Sequence, residues 1–370
     1  MTRRLLSIDF MRGLAVIAMI EIHIWQAFIA EPLHPIGRII RNASIVIGGN
    51  SAELFTMVSG VSASLLLSTY RGRGVTEQSI RHFILARGLF LFLLSSVVNI
   101  LAGPVLNLLD ISILNWSVIQ LIGVCLLFAP LFSRSSLLLR IFWILLPWVL
   151  LELAYPRFPL FAPLFTGVAP VFPWGSFFFA GMWAGEYFIV NVRNGPVRHA
   201  SLLMVSFGLL LAVPITQGLS VVLGKAPSWI HGNDVDFTTF TMLLGAFIIL
   251  LSLSYYFLDQ STTSAEKLRP MSQALAEMGQ RSLSIYYVQL IGVVLSALLL
   301  QRHLGYAVKI NWVLFLPLVL FTLISIYGFV NIYWKRFGYF LSIEWFMAKL
   351  IRKPTAGAAL REQHGLAASD

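Results

Sequence analysis

Charged residues are scarce in this chain, and that scarcity decides its class. Only 11% of its 370 residues are Asp, Glu, Lys or Arg, whereas a soluble domain carries about 25%. Hydrophobic residues make up 58% of the chain, and its mean hydropathy is +0.82. This balance excludes a pair of soluble domains and predicts a protein that crosses a membrane many times.

Cysteine is nearly absent as well. The single Cys125 lies in an apolar run, so the chain offers no internal disulfide and no cysteine metal cluster. We expect no metal cofactor. The net charge of +10 gives no reason to expect nucleic acid as a partner, because the basic residues cluster in short connections between apolar runs.

Long apolar runs are what the chain has in abundance. A helix needs about 20 apolar residues to cross a bilayer, so these runs predict an all-α, polytopic membrane helix bundle with about ten transmembrane helices. The predicted spans are 13–31, 50–69, 84–103, 114–132, 137–154, 173–191, 200–222, 237–258, 282–300 and 312–333. The first is interpreted as a retained helix, because a cut after Ala30 would put bulky Phe28 where a signal peptidase needs a small residue.

Lys and Arg are distributed unevenly between alternate connections. With the N-terminus inside, most of them fall on the inner side, so both termini are predicted to be cytoplasmic. The membrane domain is placed at 1–335 and a cytoplasmic tail at 336–370. Aromatic residues among charges favour a helix on the inner leaflet early in this tail, and the small, polar end favours disorder. The predicted outer loops are 32–50, 155–173 and 224–236.

The first span carries two ionisable side chains that membrane helices rarely hold. Arg12 and His23 are eleven residues apart. Eleven residues make about three helical turns, so both side chains lie on one stripe, separated by about 16 Å. Ionisable groups at membrane depth usually mark a functional site. The alternative is a hydrogen-bonded interior histidine and an arginine that reaches lipid phosphates.

Small and polar residues open the second span. Glu53 is expected near the outer surface, where it either accepts the ring hydrogen of His23 or contacts an acceptor molecule. Ser59 and Gly60 lie deeper. Small residues allow close packing of helices, and they also allow a narrow ligand to approach.

Further polar residues are candidate contacts for a substrate. In the ninth span, Gln289 either packs helices together or contacts a substrate, because a buried amide needs a partner. The outer loop 224–236 holds Trp229, His231 and Asp234, and the loop 32–50 ends at Asn50. An aromatic face stacks on a sugar ring and carboxylates bind hydroxyls. The alternative for Trp229 is an ordinary interfacial tryptophan.

Two motifs resemble a known superfamily. They are Arg4-x2-Ser-Ile-Asp9-x2-Arg12-Gly-Leu-Ala and Ala52-Glu53-Leu-Phe-x3-Ser59-Gly60. They resemble the transmembrane acyltransferases, which include heparan glucosaminide acetyltransferases, the acyltransferase-3 sugar O-acylases and glucan succinyltransferases. The Arg12-x10-His23 spacing is similar to the O-acylase signature. Pro173-Trp174-Gly175 and Gly279-Gln-Arg281-Ser-Leu-Ser-Ile-Tyr286 are similar to later motifs. The chain departs from its relatives at Gln289, where they often carry histidine.

The resemblance implies an enzyme and a co-substrate. Such proteins take an acyl group, here expected to be acetyl, from cytoplasmic acyl-CoA and deliver it to an acceptor outside. Arg12, Arg81 and Arg87 would bind the phosphates of the coenzyme, because guanidinium recognises phosphate in bidentate fashion. His23 would act as general base or carry the acyl group itself, with Glu53 beside it. The pantetheine arm would run past Ser59 and Gly60.

The expected surroundings follow from the same resemblance. The protein is expected in a bacterial cytoplasmic (inner) membrane, with membrane lipids, acyl-CoA and a glycan or other small acceptor as partners and a homodimer as an open alternative. A proton-coupled transporter or flippase would also use intramembrane Arg, Glu and His. Carriers often show two related halves, and the second half of this chain does not repeat the motifs of the first.

Overall fold

Helices make up the regular structure of the described residues. The computed structural model describes residues 5–30, 34–106, 116–154, 169–186, 197–223, 236–260, 262–304 and 309–354. The helices are α1 Leu6–Phe28, α2 Pro35–Gly48, α3 Ser51–Arg71, α4 Glu77–Leu106, α5 Val118–Arg134, α6 Leu137–Ala154, α7 Val171–Ala184, α8 Val197–Leu210, α9 Thr216–Leu223, α10 Phe237–Tyr255, α11 Thr262–Gln280, α12 Ser282–Leu304, α13 Phe315–Gly328 and α14 Ile343–Leu350. No strand occurs among the described residues, although Ile29 and Ile310 form an isolated backbone pair.

The predicted spans coincide with helices of the structure over much of their length. Five helical stretches are long and apolar enough to cross a membrane: Pro35–Arg71, Glu77–Leu101, Leu203–Val222, Phe237–Gln260 and Trp312–Trp334. Three further apolar helices are shorter: Val118–Arg134, Leu137–Leu151 and Ser282–Val293. The all-helical class is therefore confirmed, whereas ten crossings and cytoplasmic termini stay predictions.

The predicted outer loop 32–50 is wrong over most of its length, because Pro35–Gly48 form α2. The His34 side chain accepts a hydrogen bond from the Ile36 backbone N–H at 3.3 Å and so caps the helix. Pro35 suits the first helical position, where no backbone N–H is needed. Helix α2 is amphipathic, and an amphipathic helix lacks the continuous apolar run by which spans are recognised.

A second additional helix, α11, lies in the connection between the predicted spans 237–258 and 282–300. It is polar on average, yet it packs extensively against α1. The two backbones meet at glycines. A Cβ atom on Gly13 would overlap the carbonyl oxygen of Leu275, and one on Gly279 would overlap that of Asp9. The crossing therefore requires residues without a side chain at both positions.

Both ends of α1 are tied to distant parts of the chain. The Asp259 carboxylate accepts hydrogen bonds, at 2.9 and 3.0 Å, from the backbone N–H groups of the first two residues of the helix. At the other end, the Lys309 ammonium donates to the carbonyl oxygens of Gln26 and Ala27 at 2.8 and 3.2 Å. An anion at the N-terminus of a helix and a cation at its C-terminus complement the helix dipole, so both contacts stabilise α1.

The tail contains helix α14, which packs back onto the bundle, whereas its predicted place on the inner leaflet stays a prediction. Glu344 of α14 accepts hydrogen bonds from the backbone N–H groups of Leu283 and Ser284 at 3.1 and 3.2 Å, and one from the Ser284 hydroxyl. A carboxylate in this position satisfies amide groups that the first turn of α12 leaves without helical partners. The predicted disordered end falls on residues 355–370, outside the described residues.

Candidate functional site

The imidazole of His23 is hydrogen-bonded to a side chain from the far end of the chain. Nδ1 of His23 lies 3.0 Å from Oε1 of Gln289, although 266 residues separate the two in sequence. His23 is half-buried, and Gln289 is 2% exposed. The contact joins α1 to α12 inside the bundle, and it brings together two residues that the sequence singled out separately.

Glu53 lies in the first turn of α3 and is 1% exposed. One of its two predicted roles was to accept the ring hydrogen of His23, but Gln289 contacts Nδ1 in the structure. The neighbouring Asn50 donates its side-chain N–H to the Val46 carbonyl oxygen at 2.6 Å, which links the start of α3 to the end of α2. These contacts leave a catalytic role for Glu53 and acceptor binding by Asn50 as predictions.

Arg12 in the N-terminal half of α1 and Arg87 of α4 interact electrostatically. Arg12 is one turn from Asp9, with Nη1 3.6 Å from Oδ1. Arg87 of α4 is close enough to interact with the charge of Arg12 and with Tyr70. Its guanidinium lies over the Phe83 ring, 5.6 Å from the centroid, and its Nε has no hydrogen-bond partner among the described residues. Like charges repel, so an anion that bound both guanidinium groups would offset this repulsion.

Arg81 belongs to different surroundings. It is exposed and lies six residues before Arg87, which is about 240° around the helix, so the two side chains leave α4 on different sides. Arg81 lines a shallow surface groove of about 420 Å³ together with Glu77, His82 and Arg134. The carboxylate of Glu77 accepts from Arg134 at 2.9 Å. The three arginines of the predicted phosphate clamp therefore do not form one cluster.

Ser59 and Gly60 face the interior of the bundle near α7. The Ser59 hydroxyl donates to the Phe55 carbonyl oxygen of its own helix at 2.8 Å. A Cβ atom on Gly60 would overlap the carbonyl oxygen of Phe178, and one on Gly181 would overlap that of Met57. Helix α7 thus packs closely against α3 at Gly60, as small residues allow, and passage of the pantetheine arm beside Ser59 and Gly60 stays a prediction.

Three further residues were predicted to contact the acceptor. Trp229, His231 and Asp234 lie outside the described residues. The structure adds two acidic residues that sequence reasoning missed, Asp259 and Glu344, which cap the helices that carry His23 and Gln289. Asp259 lies more than 200 residues after α1, and Glu344 lies in the tail beyond α12. Because each capping residue is far in sequence from its helix, no local motif predicts either cap.

Comparison with known proteins assigns most of the chain to one family. The acyltransferase-3 family model, described as an acyltransferase domain, matches residues 5–331. The match includes α1 with Arg12 and His23, α4 with Arg87, and α12 with Gln289. None of the curated proteins compared with the chain matches it.

Proposed function

The chain belongs to the acyltransferase-3 family, and from that premise we propose that it moves an acyl group, acetyl in the first instance, across a membrane. The donor is cytoplasmic acyl-CoA, and the acceptor is a hydroxyl or amine of a sugar-like molecule on the outer side. Family membership and the apolar helices support a membrane acyltransferase. The donor, the acceptor, the sidedness and a bacterial inner-membrane location are what the proposal adds.

The arrangement of polar groups along α1 is the observation that carries the proposal. Arg12, with Arg87 close to it, lies toward the N-terminal end of the helix, and His23 lies about 16 Å further along. Two guanidinium groups can bind the phosphates of coenzyme A. The pantetheine arm is about 15–20 Å long by standard covalent lengths. A donor bound at the arginine pair would therefore present its thioester near His23.

The chemistry at His23 needs one base and no redox partner. A ring nitrogen takes the proton from the acceptor hydroxyl or amine, whose oxygen or nitrogen attacks the thioester carbonyl. The C–S bond breaks, and the proton passes from the imidazole to the thiolate of coenzyme A. The products are the acylated acceptor and free coenzyme A. In the alternative path, the ring nitrogen carries the acyl group before the acceptor takes it.

The acceptor contacts are proposed from residue chemistry. Asn50 and Glu53 open α3, and Trp229, His231 and Asp234 supply the stacking face, the imidazole and the carboxylate that sugar rings and hydroxyls favour. Arg81 in its surface groove would serve the donor only as an outer contact for its phosphates. The buried amide nitrogen of Gln289, which has no hydrogen-bond partner among the described residues, is a further donor for a bound substrate.

Release of free coenzyme A by the purified protein tests the proposal. Proteoliposomes are given acetyl-CoA, with and without a panel of sugars bearing hydroxyl or amine groups, and the free thiol is measured. His23→Ala should lower acceptor-dependent release by about 10²–10⁴-fold, the contribution of a general base. The matched control is His303→Ala, which changes an exposed histidine near the end of α12.

Two results would contradict the proposal. If no acceptor increases thiol release above the acceptor-free rate, the transferase assignment loses its support. If His23→Ala turns over at the rate of His303→Ala, the base is elsewhere. Proton-driven uptake of the acceptor without thiol release would instead favour the carrier alternative.

A further inference from the structure

The hydrogen bond between His23 and Gln289 constrains which ring nitrogen carries the hydrogen. The amide oxygen Oε1 only accepts, so Nδ1 of His23 must donate across the 3.0 Å that separates them. A neutral imidazole with its hydrogen on Nδ1 has its lone pair on Nε2. From this geometry, and on the basis of the function proposed above, we infer that Gln289 is a positioning residue that fixes His23 in the Nδ1–H tautomer, so that Nε2 is the reacting atom.

The setting of Gln289 favours this role over simple packing. The residue is 2% exposed, and its Nε2 has no hydrogen-bond partner among the described residues. A buried amide hydrogen without a partner costs stability, whereas an apolar side chain of the same length would avoid that cost. The contact of the amide oxygen with the His23 ring is therefore the expected reason for an amide at this buried position.

The first turn of α12, the helix that carries Gln289, is held by hydrogen bonds from the tail. Glu344 and Ser284 form a joint hydrogen-bonded cap at the start of α12, in which the Ile343 backbone N–H also donates to the Ser284 hydroxyl at 2.9 Å. Gln289 follows five residues after Ser284, about 8 Å along the helix. A fixed first turn therefore fixes the approach of Gln289 to the imidazole.

The neutral amide also suits the reaction cycle. When Nε2 takes a proton from the acceptor, both ring nitrogens become donors. Nδ1–H keeps Oε1 as its partner throughout, so the ring need not reorient between accepting the proton and passing it to the departing thiolate. Such a partner orients the base without taking its proton, which is the role that the third member of a catalytic triad plays.

Nitrogen-15 NMR of the imidazoles tests the inference directly. Wild-type protein labelled at its 7 histidines is compared with His23→Asn, so that the missing signals identify His23. We expect an Nδ1–H signature for His23. Gln289→Met keeps the length of the side chain and removes the acceptor, so the signature should be lost or averaged between tautomers. Gln289→Glu keeps an acceptor oxygen and should restore it.

The separate effects on kcat and KM give a second test, because a merely structural role of Gln289 would not lower kcat alone. In Gln289→Met, kcat should fall at least about tenfold while KM for acetyl-CoA stays within about twofold, and Gln289→Glu should recover most of the loss. The control is Asn331→Leu, which removes another membrane-segment amide, one without hydrogen-bond partners among the described residues.

The possible results separate the inference from the proposed function. An Nε2–H signature in wild type, or an unchanged signature in Gln289→Met, overturns the inference whatever the activity. A signature that is lost in Gln289→Met and regained in Gln289→Glu supports it, even if no acceptor is found. Absence of acetyl-CoA turnover in wild type counts against the proposed function alone.

Discussion

Arg12 and Arg87 repel each other as cations, and an anion bound to both would reverse the sign of that interaction. If coenzyme A phosphates bind there, Arg12→Ala and Arg87→Ala should each weaken acetyl-CoA binding by about 1.5–3 kcal/mol, the scale of a charged hydrogen bond. Replacement by Lys should recover only part, because a point charge lacks the guanidinium fork. Titration calorimetry on detergent-solubilised protein measures the affinity.

The control for the arginine pair is Arg352→Ala, an exposed cation of the tail, which should leave the affinity unchanged. If both Arg12→Ala and Arg87→Ala bind acetyl-CoA as tightly as wild type, the clamp is refuted and the two residues merely follow the positive-inside bias.

At this scale the sequence identified single residues better than it identified their partners. His23 and Arg12 were singled out because an ionisable group in an apolar run is costly and can be seen in one dimension. The contact between His23 and Gln289 was not foreseen, because 266 residues separate them and each helix face offers several candidates. The helix that packs against Gly60 was not foreseen either, since α7 reaches it from another part of the chain.

Among the elements, the crossing of α1 and α11 gives the sharpest prediction. The Gly279→Ala change places a methyl group against the Asp9 carbonyl oxygen, so the helices must separate or shift. Overpacking of this kind costs about 1–3 kcal/mol of stability. The matched change Gly292→Ala on α12 meets no atom within 4 Å and should be neutral or stabilising, because Ala favours helix over Gly.

Thermal unfolding in detergent distinguishes these two variants. The thermal unfolding midpoint of Gly279→Ala should be below that of wild type, and the midpoint of Gly292→Ala should be equal to or above it. Equal midpoints for the two variants would mean that α1 and α11 do not approach as closely as the structure has them.

Element by element, what the sequence revealed depended on the kind of pattern. An apolar run of about 20 residues is a strong signal that needs no partner, which is why the predicted spans coincide with helices. The sequence did not predict helices α2 and α11, because α2 is short and amphipathic and α11 is polar. Both are stabilised by packing against α1. Packing of that kind depends on three-dimensional neighbours, which hydropathy along the chain does not record.

For the molecule as a whole, the orientation in the membrane is the prediction to test. Single cysteines at Asn42, Gln78 and Arg352, all exposed positions, are introduced into a Cys125→Ser background. An impermeant maleimide added to intact cells should label Asn42→Cys and should label the other two only after lysis. The positive-inside distribution of Lys and Arg is the physical reason. Labelling of Gln78→Cys in intact cells would overturn the assigned sidedness.

The anchoring of α1 at both ends has a consequence for how an acyl group could cross a bilayer. Asp259 fixes one end of this helix and Lys309 the other, and α11 lies against its backbone between them. Alternating-access machines carry cargo by rocking or sliding the helices that hold it. A helix held at both ends in this way suits a mechanism in which the protein stays still and a long, thin ligand extends along the helix. On the proposed function, the flexible arm of the donor would make the journey, and the distance from Arg12 to His23 would set which donors are long enough to complete it.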